Sequence, residues 1–241
     1  SNGNQIGVAV VQSGPGSENA FAGVAQAFAD SIPILMLPGV VSRRSGDIPT
    51  HFSSVKNYAH VTKWVAQANF ADRLPNMLRR AYSLLRSGHL APVMIEIPTD
   101  VGEEEVSDYV YTPPKPIKSI ADPVNVRNAV DSLLMAKKPI LFIGQGSLFA
   151  EASPSLIRLA EMLKIPVMTT MGGKGAFPEN HPLSVGASGL TGSGVVKHFL
   201  SKADLILGIG SSMSKNTFAP QVPSSVPIIH NTASETDINK D

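Results

Sequence analysis

The chain has no cysteine. That excludes disulfides, thiolate nucleophiles and cysteine-held zinc, and it agrees with a cytoplasmic location. Charge of one sign is missing as well: 20 Lys plus Arg stand against 19 Asp plus Glu, with no basic run, so a nucleic-acid footprint is not expected. No apolar run reaches the length that spans a bilayer, and Ser1-Asn2-Gly3-Asn4-Gln5 is no charged leader, so no membrane partner is expected. The six histidines show no metal-ligand spacing such as His-Glu-x-x-His, and no Gly-x-Ser-x-Gly elbow is present. Gly172-Gly173-Lys174-Gly175 fails as a Walker loop, with Met168 in place of the first glycine and Gly175 in place of Ser or Thr. Gly144-Gln145-Gly146-Ser147-Leu148-Phe149 fails as a dinucleotide fingerprint, because Phe149 takes the place of the third glycine and the next strand ends in Thr169-Thr170 without a ribose-binding acid. What is left is small-molecule chemistry on a chain long enough to bury roughly 70% of its unfolded surface.

What is present first is a strand, a tight turn and a helix. Ile6 to Val11 has the length and β-branching of a strand covered on both faces, and Phe21, Val24, Ala25 and Phe28 recur at helical spacing. Between them, Gly14 and Gly16 allow a sharp turn and close approach, while Pro15 fixes φ. In an open parallel sheet, ligands bind beyond the carboxyl ends of strands, which puts Asn19, in the first helical turn, where chemistry would occur. An ordinary strand-to-helix turn would use the same residues.

The pattern then predicts a strand over Ile32 to Leu37 ended by Pro38-Gly39, a loop with a short helix over Val40 to Asn57, and an amphipathic helix over Asp72 to Arg86. That helix carries Arg79, Arg80 and Arg86 on a solvated face, and a strand over Pro92 to Ile97 comes next. The first domain is placed at residues 1–102. Residues 103–121, rich in acid and proline, read as a linker favouring extended polyproline structure. Residues 122–241 form the second domain, with helices over Val124 to Ala136 and, capped by Ser153, Pro154 to Leu163. A glycine-rich loop covers Met171 to Gly186, a short helix lies near Val195 to Leu200, and strands fall at Pro139 to Ile143, Pro166 to Thr170, Leu205 to Ile209 and Pro227 to His230. Alternating helix and strand in both halves predicts an α/β fold: two parallel-sheet, three-layer domains, the second Rossmann-like. The chain enters a strand within about five residues and stops soon after another, which is the look of a piece of a longer protein.

Four strings, in order, carry a family likeness. Gly14-Pro15-Gly16-Ser17-Glu18-Asn19, with Asp30-Ser31-Ile32-Pro33-Ile34-Leu35 after it, resembles the pyrimidine-binding domain of thiamine-diphosphate-dependent enzymes of the acetolactate synthase group. Thr62-Lys63-Trp64 resembles their Thr-Lys pair, and Ala91 to Asp100 resembles the strand closing that domain. Gly173-Lys174-Gly175-Ala176-Phe177-Pro178-Glu179-Asn180-His181-Pro182 is similar to a string of their central domain. The resemblance implies the later part of a pyrimidine-binding domain joined to most of a central domain.

The likeness further implies thiamine diphosphate with Mg2+, a 2-oxo acid substrate such as pyruvate, and a homodimer or homotetramer. Pro15 and Gly16 would lie against the pyrimidine ring and Asn19 beside it, across a subunit interface. The activating glutamate is expected upstream and the Gly-Asp-Gly segment for metal and diphosphate downstream, so no catalytic residue or metal ligand is expected within the chain, and the chain alone is expected to be inactive. The central domain keeps Gly144, Gly146, Thr170, Met171, Gly189, Leu190, Thr191 and Gly210 as pieces of a site for FAD or ADP. It departs from the family at Gly210-Ser211-Ser212-Met213-Ser214 and His230-Asn231-Thr232-Ala233-Ser234, which lack the arginine and aspartates found there, so FAD, ADP or an empty site stay open. A non-catalytic nucleotide-binding module is the competing reading, and a structural or regulatory remnant a third.

Overall fold

A computed structural model of the chain describes residues 5–115, 119–189, 192–215 and 222–240. The chain divides into two compact units, Gln5–Ser119 and a second beginning at Ile120. Each is built on a parallel sheet flanked by helices.

In the first unit the strands β1 (Gly7–Val11), β2 (Ile34–Val40), β3 (Trp64–Gln67) and β4 (Val93–Pro98) pair in the order β1-β2-β4-β3. Helix α1 (Pro15–Ala29) and the short α2 (Ser54–Tyr58) cover one face, where Val24, Met36, Tyr58 and Met94 are buried together. Helix α3 (Leu74–Leu85) covers the other through Ala81 and Leu85, packed on Leu35, Val93 and Ile95. A single turn, α4 (Thr99–Gly102), succeeds β4.

Several expectations change here. Within the described residues β1 pairs with β2 alone and Val10 is 75% exposed, where the sequence predicts a strand covered on both faces; cover depends on what packs against a strand and not on its composition. β2 runs through Pro38-Gly39. Pro38 stands opposite the last residue of β1, and the β2–β4 ladder steps from Met36↔Met94 to Gly39↔Ile97 across the missing donor. β3 lies where no strand is expected, since four residues are too few to show a period. The arginine face of α3 is not merely solvated: Arg80 stacks on Trp64 at 4.8 Å, Arg86 lies over Tyr82, and Arg79 bonds Tyr109 Oη and the Thr112 carbonyl.

The second unit holds α5 (Pro123–Met135), β5 (Pro139–Ile143), α6 (Gly146–Phe149), α7 (Ser153–Leu163), β6 (Val167–Thr169), β7 (Ser184–Ala187), α8 (Gly194–Lys202), β8 (Leu205–Ile209) and β9 (Ile228–Asn231). Its parallel strands pair in the order β7-β6-β5-β8-β9. Leu133, Leu156 and Ala160 from α5 and α7 pack on one face of the sheet with Leu141 and Ile143; Val196 and Leu200 from α8 pack on the other with Ile140, Phe142 and Met168. α5 is capped by Asp122, which accepts from Val124 and Asn125 N–H. Ser153 is not a cap: it is the first residue of α7, its predecessor Ala152 holds the cap position, and no side chain closes that end. The loop expected over Met171 to Gly186 runs into the short strand β7.

Candidate functional site

The opening turn is fixed by two different demands on glycine. Gly14 has φ +65° and stands at the cap of α1, a conformation that L side chains rarely adopt. Gly16 is close to the end of β1: a Cβ there would meet Gln12 Cβ at 3.1 Å. Pro15 between them starts the helix, where a missing N–H costs nothing. Just after it, Ser17 is fully buried and anchors the helix start from beneath. Its hydroxyl shares a 2.8 Å hydrogen bond with Ser54 Oγ, and its carbonyl accepts from Tyr58 Oη, whose phenol pKa burial pushes up although the bond to Ser17 works against that. Ser54 N–H donates to Glu96 Oε1 at 2.9 Å, and Gln67 Nε2 donates to Glu96 Oε2 at 2.8 Å. A buried carboxylate on β4 thus ties β3, α2 and the start of α1 together.

The turn forms one wall of a cleft of about 280 Å³. Ser13, Gly14, Pro15 and Glu18 line it from this side, Val40 and Val41 from the end of β2, and Thr50, His51 and Phe52 from the loop beyond. Gly39 lies beside the end of β1, where a Cβ would stand in ordinary contact 3.5 Å from Ser13 N. Thr50 has φ +84°, an uncommon conformation for a β-branched residue, and it falls at the cleft. Of the residues expected here, Pro15 lines the cleft, Gly16 lies behind it against Gln12, and Asn19 is exposed on α1 outside the lining. Glu18, Thr50, His51 and Phe52 are additions; nothing in a nonperiodic loop signals which strand end it folds over.

That loop is pinned by Arg43. Its Nε meets Asp100 Oδ2 at 2.7 Å, Nη2 meets Glu104 Oε1 at 2.5 Å, and Nη1 donates to the Asn69 carbonyl. The guanidinium bonds hold the Asp100 carboxyl below the usual carboxylate range. Glu104 is lowered first by the Ala71 N–H and then by Arg43, burial opposing, and Arg43 itself is raised chiefly by its bond to Asp100.

In the second unit the strand order reverses between β5 and β8, the place where open sheets hold ligands. Gly144 and Gly146 come after β5, Thr170 and Met171 after β6, Gly189 after β7 and Gly210 after β8, so all six stand beyond carboxyl ends of the sheet. Leu190 and Thr191 lie outside the described residues. The glycines interlock: a Cβ on Gly144 would stand 2.3 Å from the Gly210 carbonyl, and one on Gly210 would stand 2.5 Å from Ser147 N. Gly144 N–H donates to Ile209 and Gly146 N–H to Gly210, both at 2.8 Å, so these donors hold β8 in place and are spent before a phosphate could use them. Thr170 Oγ1 accepts from Gly173 N–H at 2.9 Å, and Met171 is exposed.

The remaining family strings have mechanical explanations. In the glycine-rich loop, Ala176 and Phe177 are buried in the core. His181 packs edge-on to Phe177; its Nδ1 accepts from Leu183 N–H at 3.2 Å, which leaves Nε2 to donate to Glu161 at 3.2 Å. Thr62 Oγ1 bonds the Tyr58 carbonyl at the end of α2, and Lys63 Nζ bonds the Leu84 and Ser87 carbonyls at the end of α3, with burial lowering its pKa. Among the described residues, no group of three or more His, Asp or Glu could hold a metal ion.

One parallel-sheet unit thus carries a cleft on a glycine-proline helix start, and the second carries a strand-order reversal, the arrangement of a ligand-binding α/β protein. Residues 2–67 match the family described as "Thiamine pyrophosphate enzyme, N-terminal TPP binding domain", and residues 126–241 match "Thiamine pyrophosphate enzyme, central domain". The chain belongs to the thiamine-diphosphate-dependent enzyme family and is acetolactate synthase-like. It is 31% identical to the "Probable acetolactate synthase large subunit" of Methanocaldococcus jannaschii over 98% of this chain and 42% of that protein. The acetolactate synthase large subunits of Haemophilus influenzae and Corynebacterium glutamicum are 32% and 33% identical, over 88% and 98% of this chain and 39% of each relative. The chain therefore spans about two fifths of the length of these curated relatives.

Proposed function

We propose that this chain is part of a thiamine-diphosphate-dependent enzyme of the acetolactate synthase type, which decarboxylates a 2-oxo acid such as pyruvate and joins the remaining acyl unit to an acceptor carbonyl. The observation that carries the reading is the position of Pro15 in the wall of a cleft, on a helix start held rigid by Ser17, Ser54, Tyr58 and Glu96.

The lining suits a flat heteroaromatic ring. Pro15, Val40, Val41 and Phe52 offer apolar walls, and Ser13, Glu18, Thr50 and His51 offer groups for its polar edge. Pro15 and Gly16 are read as the surface against the pyrimidine and Asn19 as a polar contact reached from a second copy, which makes a homodimer or homotetramer the working form. When bound, thiamine diphosphate supplies the electron sink that stabilises the carbanion left by decarboxylation. The chain's own part is to keep the turn from moving, through the buried carboxylate beneath it, and to shield the ring from water with the apolar walls. Mg2+ and the activating carboxylate belong to other parts of the enzyme in this reading. The first domain, residues 1–102, is read as the later part of the pyrimidine-binding domain, with residues 103–121 as linker and residues 122–241 as central domain, in a cytoplasmic enzyme.

In the central domain Gly144, Gly146, Thr170, Met171, Gly189 and Gly210 are read as pieces of a site for FAD or ADP, with an empty site as the alternative; the N–H groups of Gly144 and Gly146 already hold β8. A purified protein with a flavin spectrum would support FAD there.

The test is Asn19→Ala in the full-length protein with thiamine diphosphate, Mg2+ and pyruvate. Carbon dioxide release should fall about tenfold or more with the melting temperature unchanged, as expected where one orienting contact is lost. Unchanged kinetics would reduce the motif to a turn. Turnover by residues 1–241 alone would overturn the placing of essential groups elsewhere.

A further inference from the structure

We propose that Arg43 is a positioning residue for the cofactor cleft: together with Asp100 and Glu104 it fastens the loop that leaves β2 to the carboxyl ends of β3 and β4, and so sets where Thr50, His51 and Phe52 stand opposite Pro15. This rests on the proposed function, in which that cleft receives the cofactor's ring.

The loop from Val41 to Ser53 joins β2 to α2 without belonging to the sheet, and it supplies Val41, Thr50, His51 and Phe52 to the cleft. Its own bonds make only a short turn: Arg44 N–H donates to Ser42 Oγ, Ser45 N–H to the Ser42 carbonyl and Ile48 N–H to the Ser45 carbonyl. Among the described residues, no side chain from Arg44 to His51 forms a hydrogen bond or ion pair. A segment with so few ties opens easily unless its ends are held. At the far end Phe52 packs on the core of Val24, Met36, Tyr58 and Met94. At the near end the hold is Arg43.

Every nitrogen of Arg43 is engaged. Its N–H and Nε donate to the two oxygens of Asp100 at 3.0 and 2.7 Å, Nη2 donates to Glu104 Oε1 at 2.5 Å, and Nη1 donates to the Asn69 carbonyl just beyond β3. Glu104 Oε2 in turn accepts from Ala71 N–H at 3.0 Å, and the guanidinium carbon lies 6.0 Å from the centre of the Phe70 ring. A single exposed ion pair fixes little. A planar fork gripped on three sides, with its own backbone N–H on the same carboxylate, has few other positions to take. Thr50 is a second sign that the loop is held: φ +84° is a conformation that persists in a β-branched residue only where the surroundings impose it, so release at Arg43 would let this wall relax away from Pro15.

The expected consequence is a change of affinity and not of turnover. A ligand that fits only the fastened loop has its dissociation constant divided by the fraction of molecules in which the loop is fastened. Once bound, the ligand holds the loop itself, and the saturated enzyme works as before.

The test titrates thiamine diphosphate calorimetrically into the full-length protein with Mg2+. Arg43→Met should weaken binding about tenfold, as for a loop fastened in about a tenth of the molecules, while kcat for carbon dioxide release from pyruvate at saturating cofactor stays within about twofold of the wild type. Arg43→Lys, which keeps the charge but not the fork, should fall between. Without cofactor, the amides of residues 43–48 in Arg43→Met should exchange about tenfold faster than in the wild type, and saturating cofactor should restore their protection. Asp100→Asn should show the same changes in smaller measure, and combining it with Arg43→Met should add little, since both break one cluster. Affinity and exchange indifferent to residue 43 overturn this proposal alone, as does a fall in kcat with affinity unchanged. A wild type that binds no thiamine diphosphate overturns the underlying function with it. Circular dichroism checks that the variants fold, and Asp100→Asn, which keeps shape and size, carries the test if Arg43→Met does not.

Discussion

At the scale of single residues, glycine carries two separate duties in this chain, and each predicts a different outcome on substitution. Gly144→Ala forces a Cβ to 2.3 Å from the Gly210 carbonyl, backbone against backbone, so the second unit should lose about 3 kcal/mol or more in a denaturant titration. Gly175→Ala, where φ is +92° but the space is open, should cost only about 1 kcal/mol. Equal losses would mean that conformation and not close approach governs the Gly144 loop. The sequence shows Gly144-Gln145-Gly146 as a failed fingerprint. It cannot show that the glycines are there to admit Gly210, because the partner lies more than sixty positions away and only the β5–β8 pairing brings it near.

At the scale of elements, short polar anchors set where helices begin and end. Glu96→Ala should strip partners from the Ser54 N–H and the Gln67 amide and cost about 2–4 kcal/mol, read as a lowered urea midpoint. Glu96→Gln, which keeps one acceptor, should cost less. Lys63→Met should cost about 1–2 kcal/mol through the freed carbonyls at the end of α3. Burial lowers the Lys63 pKa, so the unfolded chain binds more protons between the folded and unfolded values; stability from this group rises as pH climbs through that alkaline window, and Lys63→Met should flatten the rise. Helices are the legible elements: α3, α5, α7 and α8 lie within a few residues of where periodicity puts them. The short strands β3 and β7 are not, since they exist only because β4 and β6 offer them an edge.

At the scale of the molecule, the two sheets have separate cores, and acid should act on each through its own carboxylates. Asp100 and Glu104 are held low in the first unit by Arg43 and the Ala71 N–H. Asp204 in the second is raised by burial, but the Lys138 and Lys137 N–H groups more than offset that. A depressed folded pKa gives stability that is present above the unfolded value and is lost as pH falls through the folded one. Both units should therefore weaken below about pH 4, and Arg43→Met should remove part of the loss in the first unit only. Hydrogen exchange resolved by unit checks this; an identical acid profile in Arg43→Met would show that the ion pairs contribute nothing.

Composition and periodicity by themselves determined the α/β class, most of the helices and the second unit's strands β5, β6, β8 and β9, because helix and strand periods are local and each apolar stripe must be buried against something. The family was legible by a different route, the likeness of short strings such as Gly14 to Asn19 and Gly173 to Pro182 to those of known members. Only the tertiary structure decided that β3 pairs with β4, that Glu96 lies beneath the opening turn, and that Glu18 and His51 share a cleft. Each of those depends on pairings and packings between residues tens of positions apart, on which local preference has no bearing.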